Sequence, residues 1–136
     1  MTVLVALKTT TGVVIASDTQ STGGYIKENC GSKWVQVGES WVGCAGTYRG
    51  RNIVEQMRHY DDDCDQLKTR ASLAAHLRDK ILAEKDVWKP RDTDAGDPLK
   101  FQVEFIITDG AGILSMGGDL SWLDGVDFAA AGAGAE

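Results

Sequence analysis

Thr2-Val3-Leu4-Val5-Ala6-Leu7-Lys8 and Val13-Val14-Ile15-Ala16-Ser17-Asp18 decide the fold. Both runs are rich in aliphatic and β-branched residues, which suit a pleated, half-buried surface, and Thr9-Thr10-Thr11-Gly12 between them supplies the turn. The expectation is an antiparallel hairpin that opens at the second residue and returns to end on an acid. Antiparallel pairing keeps opposite residues within about 5.5 Å, so Asp18 comes back beside the head of the first strand. Termini fray unless something ties them down. A strand that starts at residue 2 makes the terminus itself a candidate functional group.

Beyond this hairpin, Thr19 to Ser32 is rich in Gly, Ser, Thr and Asn and reads as a loop, with one short extended piece at Tyr25-Ile26-Lys27. Lys33 to Val37 and Trp41 to Gly46 form a second hairpin around Gly38-Glu39-Ser40. Trp41-Val42-Gly43-Cys44-Ala45 has little polarity on either face, the mark of a sheet covered on both sides. Ile53, Val54, Met57 and Tyr60 recur at helical spacing, so a helix starts near Gly50 to Asn52. It stops by Asp61-Asp62-Asp63-Cys64-Asp65, because acids at a helix C-terminus oppose the macrodipole.

Thr69 caps a second helix, with Leu73, Leu77, Ile81 and Leu82 on one face and Arg78, Asp79, Glu84 and Lys85 on the other. His76 reads as a surface or packing residue. Lys89 to Pro98 is a loop. Its Asp92-Thr93-Asp94-Ala95-Gly96-Asp97 is not a calcium loop: the third acid follows the glycine, and Val103 stands where the twelfth-place glutamate belongs. Phe101, Val103, Phe105 and Ile107 alternate with Gln102, Glu104, Ile106 and Thr108 in the cleanest strand of the chain. Asp109-Gly110-Ala111-Gly112 turns it into Ile113 to Met116. Leu120 to Asp127 is a connection or short strand, and Phe128 to Gly134 follows.

Strands and helices would alternate in a βαβ protein. Hairpins followed by paired helices and more strands point instead to an α+β arrangement, two packed antiparallel sheets with helices outside. The 136 residues suffice for a single domain with a real core, taken as residues 1–136.

Composition excludes some functions. The net charge is −6, from 20 acids and 14 bases, so nucleic acid and membrane surfaces are poor partners. No apolar run approaches the ~20 residues of a membrane span, and no basic-then-apolar leader precedes the first strand, so a cytoplasmic location is expected. Cys30, Cys44 and Cys64 are odd in number and lack metal-knuckle spacing; they read as free thiols in a reducing compartment. The acids at Asp61 to Asp65 lack a geometric partner in the sequence. No metal or other cofactor is expected.

Taken in order, residues 2–46 resemble the N-terminal threonine hydrolases of the proteasome β-subunit and HslV type. Thr2 aligns with the nucleophilic threonine, and Asp18 falls on the family's acidic position without a gap. Lys33-Trp34-Val35-Gln36-Val37 matches the strand that opens with the family's lysine, after a loop one residue shorter than usual. Cys44-Ala45-Gly46 matches the strand ending whose glycine amide serves the oxyanion hole. Alone, each residue is ordinary: Asp18 a strand-end acid, Lys33 a solvated lysine, Gly46 a turn glycine. The resemblance lies in their order.

The resemblance implies an αββα sandwich, here incomplete at the C-terminus. Family members continue from a Gly-x-Gly segment like Gly132-Ala133-Gly134 into further helices and strands, and Ala133 stands where they place a serine. It also implies a threonine-type peptidase subunit that cleaves peptides or unfolded proteins inside a homo-oligomeric ring fed by an ATP-dependent unfoldase. A catalytically inactive structural subunit and an amidohydrolase of small amides are the alternatives.

The chemistry follows from the residue types. A threonine hydroxyl is a weak nucleophile and needs a base. An N-terminal threonine carries one, its α-amine, which titrates near ~7.7–8.0 once Met1 is removed. An adjacent Lys33 ammonium favours the developing alkoxide, Asp18 holds Lys33 in direction, and the Gly46 amide donates to the oxyanion. Cys44 and Tyr48 sit near the family's side-chain pocket and are the candidate substrate-binding residues.

Overall fold

The computed structural model describes residues 2–23, 26–29, 32–46, 48–60, 69–84 and 103–132. The chain opens with β1 (Val3–Lys8) and β2 (Val13–Ser17), paired in the register Leu4↔Ser17 to Lys8↔Val13. Thr9 closes the turn: its amide donates to the Gly12 carbonyl at 2.7 Å, and its hydroxyl accepts the Thr11 and Gly12 amides. The stretch expected to be a loop forms a second, short hairpin, β3 (Gln20–Gly23) with β4 (Ile26–Asn29). Its residues carry no alternation of apolar and polar side chains, so the pairing left no mark at the level of hydropathy.

β5 (Trp34–Val37) and β6 (Ser40–Gly46) form the next hairpin, as expected. Then come α1 (Tyr48–Tyr60), α2 (Arg70–Ala83), β7 (Val103–Thr108), β8 (Ile113–Met116), β9 (Trp122–Val126) and β10 (Phe128–Gly132). α1 begins at Tyr48, ahead of the expected Gly50 to Asn52. Within α2, Leu73, Leu77 and Ile81 are buried and Leu82 is 46% exposed. A 3.6-residue period carries Leu82 off the stripe that the other three define. Thr69 caps α2 as expected: its hydroxyl accepts the Ser72 amide, and the Ser72 hydroxyl accepts the Thr69 amide in return. The acidic run at Asp61 to Asp65, the Lys89 to Pro98 loop, Cys30, Cys64 and Ala133 lie outside the described residues.

Besides the two-stranded β3-β4 pair, strands are ordered β10-β1-β2 in a second sheet and β5-β6-β7-β8-β9 in a third, all neighbours antiparallel. Alternation along each strand then sorts the core into two layers. Leu4, Ala6, Trp34, Ala45, Ile106, Ile113, Ala129 and Ala131 pack between the sheets. Val35, Val42, Phe105, Ile107 and Leu114 face the other way, against Ile53, Val54, Met57, Leu73, Leu77 and Ile81 of the helices. The five-stranded sheet is therefore covered on both faces, which explains its near-continuous apolar strands. The Arg78 guanidinium lies 5.5 Å from the Trp122 ring centre and adds a cation–π contact between α2 and β9.

The three-stranded sheet has one covered face. Its outer face presents Val3, Val5, Leu7, Val14 and Phe128 to solvent, the last 70% exposed. Among the described residues, no helix is long and apolar enough to cross a membrane.

Candidate active site

The return of the first hairpin builds the site. Asp18 follows the last residue of β2, and its amide donates to the Val3 carbonyl at 3.2 Å while its carboxylate Oδ1 accepts the Val3 amide at 2.8 Å. The carboxylate is thereby fixed at the head of β1, next to Thr2, where the sequence places it.

Lys33 arrives from the other sheet. It immediately precedes β5, and its amide donates to Ser17 Oγ at 3.3 Å. The adjacent Trp34 donates from Nε1 to the Ala16 carbonyl at 3.1 Å. These two bonds lay the start of β5 along the end of β2 and aim the Lys33 side chain at β1. Its Nζ donates to both carboxylate oxygens of Asp18 at 2.9 Å and to Thr2 Oγ1 at 3.2 Å. Lys33 is 7% exposed, so this ion pair sits in a poorly solvated place, where electrostatic attraction exceeds its value in water. One ammonium thus spans the hydroxyl of Thr2 and the carboxylate of Asp18.

Gly46 ends β6, exposed, with a φ of 109° that strains any residue with a Cβ. It pairs with Val103 of β7. β1 crosses this region from the other sheet, since Leu4 and Ala45 share the inter-sheet core. Thr2 and Gly46 therefore belong to facing sheets. The structure brings Thr2, Asp18 and Lys33 into direct contact and sets Gly46 on the opposing sheet.

Cys44 is half-buried and packs on the helical side of β6, not on the side facing β1. Burial pushes its thiol up to about 12 from 9.0, against the pull of the nearby Arg51. Such a thiol is protonated at neutral pH and is no nucleophile. Tyr48 is the first residue of α1, two positions after Gly46.

The ties that hold the site from behind have no local signature in the sequence. Ser17 and Trp34 join β2 to β5, and Gly132 presses on the Thr2 backbone. Gly132 has a φ of 91°, and a Cβ there would collide with the Thr2 carbonyl oxygen. Its place within the small-residue run Ala129 to Ala135 is a weak signal for such close approach.

Solved structures share this fold. Two structures of Thiobacillus denitrificans BPH, a bacterial proteasome homologue, match with TM-scores of 0.76 and 0.75, the latter in complex with epoxomicin. Each match covers 99% of this chain and 73% of the other, at 21% sequence identity. The fold is proteasome-like. No protein-family model matches the chain, and no curated protein matches it. At this identity the likeness establishes the α+β fold of two stacked antiparallel sheets and leaves chemistry to the residues themselves.

Proposed function

We propose that the chain is a threonine-type peptidase subunit, with Thr2 as nucleophile once Met1 is removed. The observation that carries this reading is the Lys33 ammonium, 3.2 Å from the Thr2 hydroxyl and 2.9 Å from Asp18. The free α-amine of Thr2 takes the hydroxyl proton as Oγ1 attacks the scissile carbonyl carbon. Lys33 stabilises the charge that develops on Oγ1, and Asp18 holds Lys33 in place. The Gly46 amide donates to the tetrahedral oxyanion, a contact of the kind worth ~3–4 kcal/mol of barrier. Collapse expels the leaving amine, which takes back the proton, and leaves an ester on Thr2. Water then hydrolyses the ester. Tyr48, two positions after Gly46, would shape the side-chain preference, whereas Cys44 packs toward the helices. A homo-oligomeric ring, fed by an ATP-dependent unfoldase, would confine the cleft to peptides and unfolded chains.

A second reading, a structural subunit without activity, is favoured by Ala133, which stands where the resembled family places a serine. Intact mass after incubation with a peptide epoxyketone separates the two, because that group reacts with both the hydroxyl and the free amine of an N-terminal threonine. Loss of Met1 with one adduct, absent in Thr2→Ala, is the expected result. Retained Met1, or no adduct, favours the structural subunit.

A further inference from the structure

Thr2 heads β1, the middle strand of β10-β1-β2, and Gly46 ends β6, which runs between β5 and β7. Nucleophile and candidate oxyanion donor thus stand on separate sheets, and acyl transfer needs their spacing held to a fraction of an ångström. The strands flanking each of them are where that spacing is set. On one flank, β2 is tied to β5 by the Lys33 amide to Ser17 Oγ, the Trp34 indole to the Ala16 carbonyl, and the Lys33–Asp18 ion pair.

On the other flank, a hydrogen bond ties β10 to β7. The Gly132 amide donates to Glu104 Oε2 at 3.1 Å. Glu104 lies opposite Ala45, the residue before Gly46. Gly132 lies opposite Val3, the residue after Thr2. One carboxylate therefore links the neighbour of the oxyanion donor to the neighbour of the nucleophile. Gly132 also crowds the Thr2 carbonyl closely enough to exclude a Cβ, so movement of the strand end is passed on to Thr2.

We propose that Glu104 is a positioning residue: it pins the end of β10 to the five-stranded sheet and so fixes Thr2 relative to Gly46. The inference rests on the peptidase reading above. Glu104 is exposed, so replacing it opens no cavity in the apolar core. What the contact needs is an acceptor oxygen at the right reach. Glutamine supplies it without charge, aspartate falls one methylene short, and alanine removes it.

The test uses the Met1-free chain in its assembled form, with Glu104→Ala, Glu104→Asp and Glu104→Gln. Three quantities are read: the rate of epoxyketone adduct formation by intact mass, the Michaelis constant for a peptide amide, and hydrogen exchange at the Gly132 amide. Alanine and aspartate should slow adduct formation about tenfold to 100-fold, leave the Michaelis constant within about twofold, and speed Gly132 exchange, while glutamine stays near the parent on all three. An alanine variant that reacts at the parent rate overturns the inference, and so does a glutamine variant as slow as alanine. If alanine fails to fold, aspartate against glutamine decides by the same criteria. A parent chain that forms no adduct sinks the peptidase reading and the inference with it; a reactive parent with an indifferent Glu104 sinks the inference alone.

Discussion

Lys33 and Asp18 meet across two sheets: the ammonium that precedes β5 lies 2.9 Å from each carboxylate oxygen of the acid that follows β2. The same Asp18 Oδ1 accepts the Val3 amide at 2.8 Å, so the acid is anchored to the strand that Thr2 heads before it touches the lysine. The pair serves the fold and the site with one set of atoms, and substitutions can separate the two roles.

Lys33→Met keeps the bulk of the buried stem and removes the charge. Adduct formation at Thr2 should fall on the order of 10²–10³-fold, the scale of losing one preorganised electrostatic partner of the reaction. Stability should drop by about 1–3 kcal/mol, less than for a dry pair, because the Asp18 side chain is 31% exposed and water can solvate it. Urea unfolding of the variant beside epoxyketone labelling reads both. Labelling at the parent rate would remove Lys33 from the site.

Asp18→Asn and Asp18→Ala divide the acid's work. Asparagine retains an oxygen for the Val3 amide but gives up the ion pair, whereas alanine loses both. Asparagine should therefore react about 10- to 100-fold more slowly at nearly parental stability, and alanine should be slower and also less stable by about 1–2 kcal/mol. Equal stability losses in the two variants would mean that the Val3 contact contributes nothing.

The first hairpin was legible because aliphatic runs, a turn and a terminal acid agree with one another, and that agreement alone brings Asp18 to Thr2. The Thr69 cap and the Leu73, Leu77 and Ile81 stripe were legible for the same reason. β3 was not, and β4 was legible only as the extended piece at Ile26-Lys27: Gln20 to Asn29 alternates no hydropathy, and pairing without that alternation leaves little pattern in the sequence. The start of α1 was placed late because the apolar 3.6-residue period begins only at Ile53; the Arg49 ion pair with Glu84 of the α2 end comes from a distant part of the chain. Glu104 and Gly132 were invisible as a pair, since a contact across 28 residues between two strand ends has no local signature.

Cys44 should resist thiol reagents in the folded state. Its thiol, pushed up to about 12 by burial, carries almost no thiolate at pH 8, and packing limits access. In a chain with Cys30→Ser and Cys64→Ser, labelling of Cys44 should be slow in buffer and fast in urea. The sign of the linked pH effect follows: the folded state holds this proton between about 9 and 12 while the unfolded state releases it, so stability falls as pH rises through that window. Replacing Cys44 by Ala should flatten that alkaline decline. Rapid labelling in buffer would contradict the burial.

Arg70 joins three elements. From the first turn of α2 its Nη1 reaches Asp109 Oδ1 at 2.7 Å, after β7, and its Nε reaches Asp124 Oδ1 at 2.8 Å on β9. Burial works against ionised Asp109, but hydrogen bonds from the Ala111 amide, Arg70 and the Gly112 amide outweigh it and hold the carboxyl below 3.8. A depressed folded pKa means that this stabilisation is present above about 3.8 and is lost as pH falls through the folded value. Arg70→Ala should cost about 1–3 kcal/mol at pH 7, and the difference from the parent should shrink below pH 3.8 as Asp109 takes its proton. A gap that stays constant down to pH 2 would show that the pair does not hold the helix.

The outer face of the three-stranded sheet should govern behaviour in dilute solution. Val3, Val5, Leu7, Val14 and Phe128 alternate with inward residues on three adjacent strands, so they form one continuous apolar surface. Covering each side chain would be worth on the order of 1 kcal/mol, because each is only partly exposed and full burial is worth about 1.5–3 kcal/mol. The isolated 136-residue chain should therefore be of low stability, bind a hydrophobic dye and gain mass with concentration. Val14→Lys with Phe128→Lys should suppress dye binding and self-association while changing the unfolding midpoint little, since both side chains already meet water. A sharp, high-temperature melt of the dilute parent monomer, without dye binding, would mean that this face needs no cover.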